Sequence, residues 1–215
     1  MARERIVKDA LETLKVELER FGEENDAAAN ERSRRMLNIT RDTGEFLAVL
    51  VRATAARRVL EIGTSNGYST LWLADAASQI GGFVTTVEFA EEKARLATAN
   101  FDRSGLSQLI ELVHDDAGRF LERSYPSAYD MIFLDSERVD YPGWWRDLSR
   151  VLRPGGLLIV DNATSPPQAA LEMVPFVALV RADPRFSTCL VPVGKGEFLA
   201  VKTSPNSHGG PPGDV

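Results

Sequence analysis

From residue 58 onward, short apolar runs alternate with longer amphipathic ones. "RVLEIG" (58–63), "GFVTTVEF" (82–89), "LIELVHDD" (109–116), "YDMIFLD" (129–135) and "LLIVDN" (157–162) are near-continuously apolar and of strand length. Between them "YSTLWLADAAS" (68–78), "AEEKARLATANFDRSG" (90–105), "AGRFLERS" (117–124) and "PGWWRDLSRVLRPGG" (142–156) predict helices, the last ending on a Pro-Gly-Gly stop. "PQAALEMVPFVALVRAD" (167–183) predicts a further helix that Pro175 would kink. "FSTCLVPV" (186–193) and "EFLAVKTS" (197–204) flank the turn "GKG" and predict a closing hairpin. Strands this apolar lack the alternation of a half-solvated sheet, so the pattern implies an α/β fold with a mostly parallel sheet covered on both faces.

Upstream, Ile6, Val7, Ala10, Leu11, Leu14, Leu18 and Phe21 recur at helical spacing, predicting an amphipathic helix over 3–21 that packs on the domain or on a partner subunit. A polar stretch, "GEENDAAANERSRR", follows. "MLNITRDTGEFLAVLVRATA" then reads as a loop, with Asp42 or Thr43 near a cap, and a second helix. The expected organisation is one domain over 1–202, its first 35 residues a helical extension, and a Gly/Pro-rich disordered tail over 203–215.

Composition narrows the setting. With 44% hydrophobic and 26% charged residues among 215, a sizeable core and a solvated surface are expected. A net charge of −6 argues against a long nucleic-acid footprint, though a local basic cluster such as "ERSRR" is not excluded by it. The single cysteine, Cys189, precludes an intrachain disulfide and reads as a buried strand residue in a reducing compartment. The N-terminal stretch mixes acids and bases without an apolar centre, so it does not read as a signal peptide, and no run approaches a membrane span; a cytoplasmic protein is expected. Trp72 reads as core. Trp144 and Trp145 read as core or as an aromatic wall for a substrate.

Candidate chemistry lies at the carboxyl ends of the strands, where open α/β sheets bind ligands. Gly63 and Gly67, in "EIGTSNGYST", would let the backbone approach a ligand, with Ser69 and Thr70 in the first turn of the next helix. Glu88 is placed to accept ribose hydroxyls, and Asp116 to meet an adenine amino group. The stretch is neither G-x-G-x-x-G nor a P-loop. Glu61 and Glu88 together suit a ligand with an ammonium and a ribose but no phosphate, such as S-adenosylmethionine. At the other end, Asp135 closes one strand and Asp161-Asn162 the next. On neighbouring strands roughly 4.8 Å apart these side chains can converge on an oxygen-only site for Mg²⁺ or Ca²⁺. Equally, both acids can cap helices, as acids do in strand-to-helix loops.

The residues "LEIGTSNGYSTLWLA", "FLDSERVDY", "LRPGGLLIVDN" and "VPVGKGEFLAVK" resemble the cation-dependent O-methyltransferases, the group of catechol and caffeoyl-CoA O-methyltransferases and bacterial relatives, over roughly residues 36 to 202. The resemblance implies a seven-stranded Rossmann-like fold with an antiparallel last strand. It places Glu61, Gly63, Ser69 and Glu88 on the methionine and ribose of S-adenosylmethionine, with Ile39 as a backbone contact and Ala117 as an adenine contact; Asp116 and Asp135 are further candidate cofactor contacts. Asp135, Asp161 and Asn162 fall on the metal ligands. The implied reaction is in-line methyl transfer to a hydroxyl of a small catechol-like or vicinal-diol acceptor, by a homodimer to which the N-terminal helix contributes.

Three departures accompany the resemblance. Arg138 stands where the family usually has a lysine base, and a guanidinium stays charged, so Arg138 cannot take a proton; it could stabilise a phenolate, meet a substrate carboxylate or phosphate, or be a solvated loop charge. The segment after Asn162 is short, which argues against a coenzyme A ester. Lys195 also sits where an acid is common. Two other functions stay open: methylation of a hydroxylated tRNA base, and a cofactor-binding homologue with little catalysis.

Overall fold

The structure, a computed structural model, describes residues 2–204; all but the first two residues of the expected tail lie outside them. Seven strands form one sheet: β1 (Arg58–Ile62), β2 (Phe83–Glu88), β3 (Ile110–His114), β4 (Tyr129–Leu134), β5 (Leu152–Val160), β6 (Phe186–Val191) and β7 (Glu197–Lys202). Their order is β3-β2-β1-β4-β5-β7-β6. The first five are parallel, and β7 runs antiparallel to both β5 and β6. Seven helices accompany the sheet: α1 (Ala2–Ala28), α2 (Arg41–Ala53), α3 (Tyr68–Ser78), α4 (Glu91–Ser104), α5 (Ala117–Arg123), α6 (Tyr141–Val151) and α7 (Pro167–Ala182). One apolar core lies between the sheet and α1 to α4, the other between its opposite face and α5 to α7. The strands are apolar throughout because both faces are covered. Among the described residues, no helix is long and apolar enough to cross a membrane.

Several elements differ from expectation. Helix α1 runs through Ala28, taking in "GEENDAA", because its far end is anchored: Asp26 accepts the backbone N–H of Met36 (2.6 Å) and Leu37 (2.9 Å). The helix docks on its own domain through Leu11, Leu14 and Leu18. Lys15 is fully buried there, its ammonium 3.6 Å from the centre of the Trp72 ring and bonded to Glu12 at 2.9 Å. Trp72 is thus core, as read. The cap of α2 is Thr40, whose side chain accepts from the N–H of Thr43, and neither Asp42 nor Thr43. Helix α6 stops at Val151, five residues before the expected Pro-Gly-Gly end, and "LRPGG" enters β5 as an irregular stretch. Cys189 is exposed, because β6 is the edge of the sheet with no neighbour on its outer side.

Candidate active site

The carboxyl ends of β1, β2, β4 and β5 are tied edge to edge by backbone hydrogen bonds that continue past the strands: Gly63 N–H to Val87, Asp135 N–H to Ile62 and Asp161 N–H to Leu134, each at 3.0–3.1 Å. Gly63 has φ +103°, and a Cβ there would stand 2.0 Å from the carbonyl oxygen of Asp135. Only glycine permits this approach. Gly67, at φ +87°, caps α3 with no side chain, so the helix N-terminus opens on the loop.

On this rim the sequence-predicted cofactor residues are brought together in part. Glu88 is half-buried at the end of β2, each carboxylate oxygen accepting one backbone N–H, from Ser65 and from Ala90, both at 2.8 Å. Ser65 in turn donates to the carbonyl of Met36 at 2.7 Å, which pins the residue 36–39 segment over the strand ends. Ile39 lies in that segment, its side chain in the core. Asp116 caps α5 by accepting from Arg119 N–H at 2.9 Å, with Ala117 buried behind it and Trp144 packed alongside.

Glu61 faces inward. It is fully buried and accepts hydroxyl hydrogen bonds from Ser69 (2.6 Å), Thr86 (2.6 Å) and Thr70, so its oxygens brace the glycine loop from below. Burial outweighs these donors and pushes its pKa up to about 7. A carboxyl that holds its proton more tightly folded than unfolded contributes stability at low pH and loses it as pH rises from about 4.5 through about 7. Glu61→Gln should therefore flatten the fall of melting temperature across that window in cofactor-free protein, a term on the order of 3 kcal/mol. An unchanged slope in thermal melts would contradict this.

The acids at the other end form a row. Parallel pairing of Leu134 with Val160 puts Asp135 beside Asp161, and antiparallel pairing of Val160 with Phe198 puts Asp161 across from Glu197. Asp161 and Glu197 are 1% and 0% exposed. Glu197 accepts from the Thr43 hydroxyl at 3.1 Å, and its second oxygen has no hydrogen-bond partner. Burial, then the charge of Asp161, raises the pKa of both Asp135 and Glu197. The amide of Asn162, at φ +61°, turns its nitrogen onto Asp161. Neither Asp135 nor Asp161 caps a helix: Asp140 stands at the start of α6 and Pro166 at the start of α7. Among the described residues, no three His, Cys, Asp or Glu side chains form a group that could by itself hold a metal ion.

Arg138, in the 3-10 turn after β4, is 4% exposed, so it is not a solvated loop charge. Trp144 and Trp145 are half-buried and pack on the core of that face. Glu197 escaped sequence reasoning. An acid opening the otherwise apolar run "EFLAVK" was the available signal.

The match to known proteins extends over nearly this whole architecture. The model of the O-methyltransferase family matches residues 15–203. A protein of Mycobacterium sp. strain JLS, provisionally named an O-methyltransferase, is 32% identical over 174 residues, 76% of this chain and 79% of its own. Among solved structures, an O-methyltransferase from Bacillus cereus in complex with S-adenosylhomocysteine superposes with a TM-score of 0.71 at 29% identity, covering 94% of this chain and 98% of that one. TomG from Streptomyces achromogenes, an O-methyltransferase of tomaymycin synthesis solved with S-adenosylmethionine, does so at 0.69 and 28%, covering 78% and 82%.

Proposed function

The chain belongs to the O-methyltransferase family, and from that premise we propose that it methylates one hydroxyl of a small catechol-like or vicinal-diol acceptor held at a divalent cation. S-adenosylmethionine-dependent transfer to oxygen follows from the family and its cofactor-bound relatives; the acceptor and the cation are the further reading. The observation that carries it is the row of acids. Asp135 and Asp161 sit side by side at the rim, cap no helix, and make no ion pair within 4 Å among the described residues. A half-buried carboxylate crowded against a buried one, as Asp135 is against Asp161, is costly unless a positive charge joins them. With the Asn162 amide, whose oxygen and nitrogen exchange by a rotation, they form a hard oxygen donor set suited to Mg²⁺ or Ca²⁺, completed by water and the acceptor's hydroxyls.

When bound, such a cation lowers the pKa of a hydroxyl and orients it. The chain's own residues do the rest. Glu88 has lone pairs left that would receive the ribose hydroxyls, Ile39 and Ala117 would hold the adenosine, and Gly63 would let the loop approach the methionine part, with Glu61 bracing that loop through Ser69 and Thr70. In-line transfer is largely a matter of holding the two reactants aligned. Arg138, whose charge reaches Asp135, would supply a fixed positive charge beside the acceptor and cannot serve as the base.

The reading predicts turnover of catechol with labelled S-adenosylmethionine, loss of at least about a hundred-fold in rate on adding EDTA, and recovery with Mg²⁺. Turnover indifferent to EDTA would remove the cation; no turnover on any vicinal diol would remove the acceptor. A tRNA acceptor gains no support. The groove beside "ERSRR", about 730 Å³, is lined by Glu31, Glu91 and Glu92 as well as Arg34 and Lys93, and Arg32 faces Glu137. The homodimer in the same reading is supported by exposed Leu171, Val174 and Leu179 on α7 and Leu190 on β6, apolar surface of a kind that marks interaction sites.

A further inference from the structure

Arg138 carries a charge that the protein does not pair. Its side chain is 4% exposed, yet no hydrogen bond or ion pair within 4 Å reaches its guanidinium among the described residues, and Nε is buried without a partner. The acids of its own loop are turned elsewhere: Glu137 is exposed and faces Arg32 at 3.8 Å, and Asp140 is exposed. Tyr141, packed behind, spends its hydroxyl on the backbone N–H and carbonyl of Ser136. Asp135 feels the arginine's charge from beyond ion-pair distance, and that acid already belongs to the crowded row with Asp161 and Glu197. A buried cation without a partner costs several kcal/mol, so a missing anion is the natural complement.

We propose that the acceptor itself brings that anion: the substrate is a hydroxylated aromatic carboxylate, its diol at the Asp135–Asp161 end and its carboxylate received by Arg138. The geometry of the group suits this class. A planar guanidinium offers paired donors to a carboxylate, which a lysine ammonium does not, so the arginine in place of the family's lysine changes what can be recognised. Enclosure argues for a small acceptor. A nucleic-acid phosphate chain is met by exposed bases, whereas Arg138 is only 4% exposed. The step is the transfer already proposed: the oxygen–carbon bond forms as the sulfonium–carbon bond breaks, S-adenosylhomocysteine leaves, and the hydroxyl proton passes to solvent; the carboxylate takes no part in bonding.

This inference rests on the acceptor reading above, and one comparison separates the two. Catechol and 3,4-dihydroxybenzoate are assayed as acceptors with wild type, Arg138→Met and Arg138→Lys, and binding of 3,4-dihydroxybenzoate to the S-adenosylhomocysteine-loaded protein is followed by calorimetry. Expected is a wild-type preference in kcat/KM for the carboxylate acceptor, which Arg138→Met reduces on the order of ten- to a hundred-fold as a ratio, with matching loss in binding and partial rescue by Arg138→Lys. The proposal is overturned if wild type shows no preference, or if Arg138→Met lowers both acceptors equally and leaves the ratio unchanged, which is what a merely structural arginine would do. Turnover of neither acceptor by wild type would instead bring down the diol reading itself.

Discussion

Asp161→Asn is expected to lower kcat/KM for a diol acceptor by about three orders of magnitude, abolish its response to EDTA, and yet raise the melting temperature of the cation-free protein. The two changes have one cause. Asp161 lies between Asp135 on β4 and Glu197 on β7, and both it and Glu197 are buried. Burial, then the charge of Asp161, holds its two neighbours towards the protonated form. The gain is therefore expected in melts at alkaline pH, where they ionise, like charges repel across the strands, and a neutral amide of the same shape should recover on the order of 1 kcal/mol. The same substitution removes the central carboxylate from the donor set, and cation assistance is worth several kcal/mol of barrier, each 1.36 kcal/mol being tenfold in rate. Steady-state kinetics with and without EDTA, beside thermal melts, check both halves. A variant that loses activity and stability together would make Asp161 a structural residue, and one that keeps its EDTA response would take it off the cation.

Gly63→Ala should be the most damaging single methyl group in the chain. The added carbon would meet the carbonyl oxygen of Asp135 at 2.0 Å and its carbonyl carbon at 2.7 Å, and both are backbone, with no rotamer to relieve them. The φ of +103° adds strain for any side chain. Relief requires β1 and β4 to part where Asp135 N–H bonds Ile62, so we expect a loss of about 3 kcal/mol or more in urea melts and no measurable binding of S-adenosylhomocysteine by calorimetry. Native stability together with native affinity would show that the rim is softer than its hydrogen bonds imply.

Much of this was legible in the residues, and the gaps have physical reasons. The five parallel strands stood out because burial on both faces leaves them almost wholly apolar. The end of α6 did not. "LRPGG" carries the ordinary marks of a helix stop, but pairing of Leu152 with Tyr129 draws the segment into the sheet, a tertiary contact no local signal announces. The continuation of α1 through "GEENDAA" likewise depends on Asp26 meeting Met36 and Leu37. Cys189 was misplaced because edge position follows from strand order, and an inserted β7 is not written in the alternation of elements. Glu197 has the same origin: an acid at the head of an apolar run is visible, but that it faces Asp161 is known only once β7 is paired with β5. Arg138 was visible as a substitution, while its burial without a partner belongs to the packing.

The irregular entry into β5 has a bearing on how the family can vary. Between the pairings Tyr129–Leu152 and Met131–Leu157, β5 spends five residues where β4 spends two. The slack is taken up before Leu157, and from there to Val160 the two strands keep step, so the alignment of Asp161 with Asp135 is set downstream of the loose stretch. An insertion or deletion at Pro154–Gly156 would be absorbed there like play in a coupling, whereas one of a single residue between Leu157 and Val160 would slide Asp161 out of line and turn its neighbours to the opposite face. Length can drift on one side of Leu157 and is held on the other.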